Sequence, residues 1–167
     1  KKPTDSAASG TAIATGHKTY KSGLSVDTLK NKLNTILDIA ELVSKSTGVV
    51  STVPFSNATP AAFVAHNESR YNYKDIAIEM IMESKVDVIM GGGHPLFNPD
   101  GTQISGAGER VVGEKEIYDM TLGDKSVGDE KRYKYVGGKN AWNALVAGNA
   151  GADADNDGLD DPWLLIQ

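Results

Sequence analysis

The sequence predicts an α/β fold: a central, mainly parallel sheet flanked by helices. Three observations lead there. Residues 28–46 carry apolar side chains at helical spacing. Two short β-branched apolar runs, 49–53 and 86–90, read as buried strands. The order helix, strand, helices, strand over the first 97 residues is the rhythm of a parallel sheet with helical crossovers.

Asp5 has the side chain of an N-cap, and residues 6–15 are a run of small residues suited to a short helix. Gly16 would end it, because glycine tolerates the left-handed conformation just past a helix. In residues 28–46, Leu29, Leu33, Ile36, Leu37, Ala40 and Val43 fall on one face, with Lys30, Lys32, Asn34 and Glu41 off it. Pro60 opens a helix over 60–66 with Thr59 as its cap. A further helix over 74–83 turns Ile76, Ala77, Met80 and Ile81 to the core, and Gly91, Gly92 and Gly93 close the strand that follows. Residues 98–130 have little periodicity. After them come an expected strand at 132–136, a short helix at 140–147, and an apolar run at 163–166 that starts another strand or helix. A soft boundary falls near 97. Residues 1–97 read as part of an α/β core, and 98–167 as an accessory or inserted region that continues beyond this chain.

The 167 residues are about one domain's worth. Lys plus Arg number 17 and Asp plus Glu 22, a net charge of −5, which argues against general nucleic-acid binding. No apolar stretch approaches the roughly 18 residues of a membrane span. With no cysteine, disulfides, thiolate chemistry and Cys-type zinc sites are excluded. No signal peptide is visible after Lys1 and Lys2, so the signal of an exported protein would lie outside this chain.

The sharpest local feature is Asp5-Ser6-Ala7-Ala8-Ser9. A serine in the first turn of a helix sits where free N–H groups and the helix dipole favour an anion. Small neighbours leave room for a tetrahedral group. The same residues also read as a capped helix whose small side chains serve packing alone.

The segments around this serine resemble the alkaline phosphatases. The resemblance is carried by residues 4–12 and 15–20, by Val50-Ser51-Thr52 and Asn57-Ala58-Thr59-Pro60-Ala61-Ala62, by Ala65-His66 and Ser69-Arg70, and by residues 87–93, all in order. It implies that Ser6 is a nucleophile that becomes phosphorylated and is then hydrolysed. Asp5 would orient the arginine or the serine loop. Arg70 would hold two phosphate oxygens with its planar fork. It further implies zinc bound through Ser6 Oγ, and magnesium near Thr59 and Asn57. Asn57 is a departure, since the family often has Asp or His there and a neutral amide is a weaker magnesium ligand. His17, His66 and His94 are too scattered for a ligand cluster and are expected to be structural. The family's zinc ligands lie before the nucleophile and well after the arginine, so the chain is expected to be part of a longer enzyme with little activity alone. Small phosphomonoester substrates, a homodimer, and a periplasmic or secreted location come with the resemblance.

Two related chemistries fit less well. A sulfatase needs a modified residue followed two positions later by Pro and then Arg, whereas Ser6 is followed by Ala7, Ala8 and Ser9. Related phosphodiesterases often use Thr and lack an arginine like Arg70. A phosphate-binding or transferase relative, phosphorylated without release, is a further reading.

Asp153, Asp155, Asp157, Gly158 and Asp161 follow the first part of a calcium-loop pattern, but the twelfth position is Leu164 rather than Glu. The segment therefore reads either as a weak calcium site or as a solvated acidic turn. The alternative to an enzyme is a non-catalytic, calcium-binding extracellular domain on the same fold.

Overall fold

A carboxylate and a glycine fix the ends of the first helix. The computed structural model describes residues 3–94, 102, 134–135, 138–148 and 163–166. Asp5, extended at φ −92° and ψ 174°, accepts the Ala8 N–H and caps α1 (Ser6–Thr15). Gly16, at φ 74°, closes it by donating to the Ala12 carbonyl. Both caps are as expected from sequence.

The expected long helix over 28–46 is much shorter. Asp27 accepts the N–H groups of Leu29 and Asn31 at 2.7 and 2.9 Å, and Lys30 takes a left-handed φ of 71°. A side chain that captures local N–H groups in this way competes with a helix. The chain instead turns back, pairing Val26 with Lys32. Helix α2 (Ile36–Leu42) starts only where Thr35 and Asp38 form a capping box. The expected core face is lost with the helix: Leu29 is 79% exposed, and Ile36 and Val43 are exposed as well, while Leu37 packs on the core.

Strand β1 (Gly48–Pro54) covers the expected residues, but it is not buried on both faces. Val49 is buried and Val50 is 72% exposed. Helix α3 (Ala58–Ala61) begins one residue after Asn57, which takes the N-cap position in place of Thr59. Pro60 therefore sits inside the first turn, where its missing N–H costs no helical bond. Helix α4 (Tyr73–Ile78) runs directly into a π-helical turn (Glu79–Glu83), in which Ser84 N–H reaches back to the Glu79 carbonyl. Together they span the expected helix, and Ile76, Ala77, Met80 and Ile81 are all buried.

Strand β2 (Val88–Gly92) starts two residues later than expected and takes in Gly91 and Gly92. The reason is a close crossing: a Cβ on Gly91 would lie 2.9 Å from both the backbone nitrogen and the Cβ of Phe55. Strand β3 (Lys134–Tyr135), helix α5 (Gly138–Val146) and strand β4 (Trp163–Ile166) follow. The sheet order is β1-β2-β4-β3, and all three pairings are parallel, with Val49 opposite Ile89 and Ile89 opposite Leu164. Asp153, Asp155, Asp157 and Asp161, and with them the calcium expectation, lie outside the described residues.

The core gathers Leu24, Phe55, Ile76, Met80 and Ile89 around the alanines of α3. Helix α1 joins it through small side chains only: Ala7, Ala8, Gly10, Thr11 and Ala14 are its buried residues. A Cβ on Gly10 would meet the Ala62 Cβ at 2.9 Å, so where α1 meets the end of α3 there is no room for a side chain at position 10.

A second cluster ties the loop after α3 to the π-helical turn. His66 Nδ1 lies 3.0 Å from Glu79 Oε1 and Nε2 lies 2.9 Å from the Leu33 carbonyl, so both ring nitrogens face acceptors. Lys32 adds a bond to Glu79 at 2.8 Å. Burial opposes charge on His66, but the Glu79 and Leu33 bonds and the carboxylates of Glu79 and Asp38 outweigh it and raise its pKa above the ordinary 6.5. Burial likewise opposes charge on Glu79, yet His66 and Lys32 hold its pKa below the ordinary 4.5.

Two outcomes follow from this packing. Gly10→Ala gains helix propensity of up to about 1 kcal/mol, but forces an overpacked contact that costs about 1–3 kcal/mol. Denaturant unfolding should show net destabilisation, relieved by adding Ala62→Gly; a stabilised Gly10→Ala protein would contradict the close approach. The His66 charge stabilises fully below pH 6.5 and is lost as pH rises through its raised value, while the Glu79 charge is lost only as pH falls through its lowered value. The melting-temperature advantage of wild type over His66→Gln should therefore shrink from pH 6 to pH 9. An advantage that stays constant over that range would show the imidazolium to be absent.

Candidate active site

The site forms where α1 begins. The Asp5 cap places Ser6, an exposed residue, as the first residue of a ten-residue helix. The partial positive charge at that helix end and the outward-facing hydroxyl make the Ser6 Oγ a place where negative charge is stabilised.

Arg70 reaches this point from 64 positions further along the chain. Its Nη1 donates to Ser6 Oγ at 2.6 Å and to Asp5 Oδ2 at 3.3 Å, and its Nη2 donates to Asn57 Oδ1 at 3.4 Å. Its guanidinium carbon lies 6.0 Å from the centre of the Tyr71 ring. The side chains of Arg70 and Asp5 are mostly buried, 17% and 15% exposed, so this ion pair is partly shielded from water. Burial acts to raise the Asp5 pKa, but the N–H groups of Ala8 and Ser22 and the charge of Arg70 hold it below the ordinary 3.8. Asp5 is therefore an anion at neutral pH. It holds Nη1, the same nitrogen that donates to Ser6 Oγ, while Asn57 holds Nη2.

Ser6, Asp5, Arg70 and Asn57, all expected from sequence, thus converge. The loop after β1 delivers Asn57, in keeping with the tendency of parallel sheets to place functional groups beyond the C-terminal ends of strands. Thr59 is exposed and borders an open groove with Val50, Ser51 and Phe63. Of the histidines, His17 binds the Thr15 carbonyl at the far end of α1, and His66 belongs to the Glu79 cluster. Burial lowers the pKa of His94 beyond β2. One contributor was not foreseen. The main-chain N–H of Ser22 donates to Asp5 Oδ1 at 3.2 Å, a role for which a residue's type gives no signal.

Zinc and magnesium are the ions that the resemblance brings. Among the described residues, no group of three or more His, Asp or Glu is placed to hold a metal ion. Ser6 Oγ and Asn57 Oδ1 are both engaged by Arg70. The described residues do not make a metal site by themselves, and the chemistry they supply is that of a hydroxyl, a guanidinium, a carboxylate and an amide.

Comparison with known proteins identifies the family and the fold. The family profile of the alkaline phosphatases matches residues 1–151. The chain is 47% identical over 100 residues to alkaline phosphatase 4 of Bacillus subtilis, covering 57% of this chain and 22% of that protein. It is 32% identical over 166 residues to the repressible alkaline phosphatase of Saccharomyces cerevisiae, covering 92% of this chain and 28% of that protein. The chain thus spans roughly a quarter of the length of these curated relatives. Among solved structures, a cold-active alkaline phosphatase from Shewanella sp. is 50% identical with a TM-score of 0.54, covering 59% of this chain and 24% of that one. The alkaline phosphatase of the Antarctic bacterium TAB5 covers 98% of this chain and 39% of its own, with a TM-score of 0.62; at 24% identity it supports the fold alone. The profile match over most of its length, joined to the α/β fold, shows that the chain belongs to the alkaline phosphatase family.

Proposed function

We propose that this chain carries the nucleophile and the phosphate clamp of a phosphomonoester hydrolase that works through a phosphoserine at Ser6. The observation that supports it most is the 2.6 Å contact between Arg70 Nη1 and Ser6 Oγ. It brings a cation onto the hydroxyl that must become an anion to attack phosphorus.

In this reading a phosphomonoester dianion enters over Ser6 and takes the two outward N–H groups of Arg70 through two of its oxygens, a geometry the planar fork matches. Ser6 Oγ attacks phosphorus in line with the ester oxygen. The Oγ–P bond forms as the hydroxyl proton passes to solvent, the P–O ester bond breaks, and the departing alkoxide takes a proton from solvent and leaves as the alcohol. Water then attacks the phosphoserine from the opposite side, releasing inorganic phosphate and restoring the hydroxyl. Arg70 and the start of α1 stabilise the charge carried by the phosphoryl oxygens throughout. Asp5 keeps Arg70 from swinging away when Ser6 Oγ exchanges the guanidinium for phosphorus. Asn57 steadies the second nitrogen.

A monoester suits this clamp better than a diester, because its terminal oxygens are free for both guanidinium nitrogens. Residues 1–97 carry the chemistry in this reading, and 98–167 are an accessory region. Zinc and magnesium, with Thr59 among the magnesium ligands, belong to it only together with ligands that the described residues do not include. Export to the periplasm or exterior and a homodimeric assembly are the remaining parts of the reading.

Steady-state assays of the full-length protein with an aryl phosphomonoester and the matching diester test it. Ser6→Ala should lower kcat by on the order of 10³-fold or more. Arg70→Lys keeps the charge but not the fork, and should lower kcat/KM for the monoester by about 10- to 100-fold. Preference for the diester, or an Arg70→Lys enzyme as active as wild type, would contradict the proposal.

A further inference from the structure

Residues 22–25 lie between the two halves of the site and are fastened to both. On the helix side, Thr11 Oγ1 donates to the Gly23 carbonyl at 3.2 Å and accepts the Ser25 N–H at 2.9 Å. On the arginine side, Leu24 and Asn67 exchange two backbone bonds of 2.9 Å, and Ser25 Oγ donates to the Ala62 carbonyl. Leu24, Ser25 and Thr11 are fully buried, so these bonds form away from water.

Ser22 is where this strap meets the chemistry. Its N–H donates to Asp5 Oδ1 at 3.2 Å, and its carbonyl accepts the Arg70 N–H at 2.8 Å. One residue therefore bonds both the carboxylate that caps the nucleophile helix and the main chain of the arginine. It does so at φ 75°, in the left-handed region, which is unfavourable for a residue with a Cβ. That conformation turns N–H and C=O towards their separate partners. Asp5 Oδ1 takes Ala8 and Ser22, which sets the plane of the group and so the direction of Oδ2 against the guanidinium.

We propose that Ser22 is a positioning residue for phosphate capture: its left-handed backbone holds Asp5 and Arg70 in one frame and so aims the guanidinium at the phosphoryl group on Ser6. This rests on the phosphoserine reading above. It adds a residue whose contribution is made entirely by the main chain, so the side chain at 22 matters only through the backbone angle it permits. Glycine suits that angle without strain, and a β-branched residue resists it most.

The test is a double-mutant cycle on the full-length protein, read by the inhibition constant of inorganic phosphate. Ser22→Val should weaken phosphate inhibition by about tenfold, in line with the strain it adds, and Ser22→Gly at the same site should keep phosphate binding close to that of wild type. In an Arg70→Ala background, Ser22→Val should change the constant less than about twofold, because there is no guanidinium left to aim. Full additivity in that background, or unchanged phosphate inhibition in Ser22→Val, would overturn the inference and leave Ser22 a structural residue. If Ser22→Val does not fold, the same cycle with Ser22→Thr, the smaller β-branched residue, decides, with an expected effect of about threefold and the same loss of effect without Arg70. The two failures are distinguishable. If Arg70→Ala alone leaves phosphate inhibition unchanged, the phosphoserine reading falls; if Arg70→Ala matters and Ser22 does not couple to it, only this inference falls.

Discussion

The arrangement depends on a single carboxylate. Asp5 accepts the Ala8 N–H to start α1, accepts the Ser22 N–H to anchor the strap, and faces Arg70 Nη1 with its second oxygen. These bonds are individually modest, of the order of 1–3 kcal/mol for a charged acceptor. Their value lies in sharing one rigid group. The helix that presents Ser6 cannot begin elsewhere without releasing the arginine, and the arginine cannot swing without unsettling the helix cap. An isosteric amide at position 5 would keep much of the cap but surrender the charge that keeps the guanidinium in place.

That local constraint is possible because the scaffold lets α1 lie unusually close to the segment after β1. The buried side of α1 carries nothing larger than threonine, and Gly10 meets Ala62 with no room for a methyl group. Bulkier residues would move Ser6 outwards and open the gap to Asn57 and Arg70. The parallel sheet adds direction. Beyond the C-terminal end of β1 the chain supplies Asn57, and the close crossing of Gly91 over Phe55 seats that loop against the neighbouring strand. Packing of small residues and convergence of functional ones are thus the same feature seen at two scales.

Some of this was legible in the residues themselves and some was not. Helix α1 was readable because both its caps are side-chain or glycine signals. The core positions of α4 were readable because Ile76, Ala77, Met80 and Ile81 keep a helical period even where the last turn widens. The stretch 28–46 misled because periodicity says nothing of a competing side chain, and Asp27 captures the N–H groups that a helix would need. Asn57 displaced Thr59 as a cap because several residues before a proline are compatible with the first helical turn. Of the site, the pairing of Ser6 with Arg70 was reachable only through resemblance, since nothing in a 64-residue separation foretells a 2.6 Å contact. Ser22 was invisible for a deeper reason: it acts through peptide groups that every residue but proline possesses.

The central claim is that Ser6 Oγ is the atom that takes the phosphoryl group. Acid-quenched mass spectrometry of the full-length protein, mixed briefly with a phosphomonoester and then digested, addresses it directly. The account predicts a phosphate adduct on the peptide containing Ser6, localised to that residue and missing from Ser6→Ala. Turnover with no adduct there under any quench time, or an adduct on another residue, would contradict it.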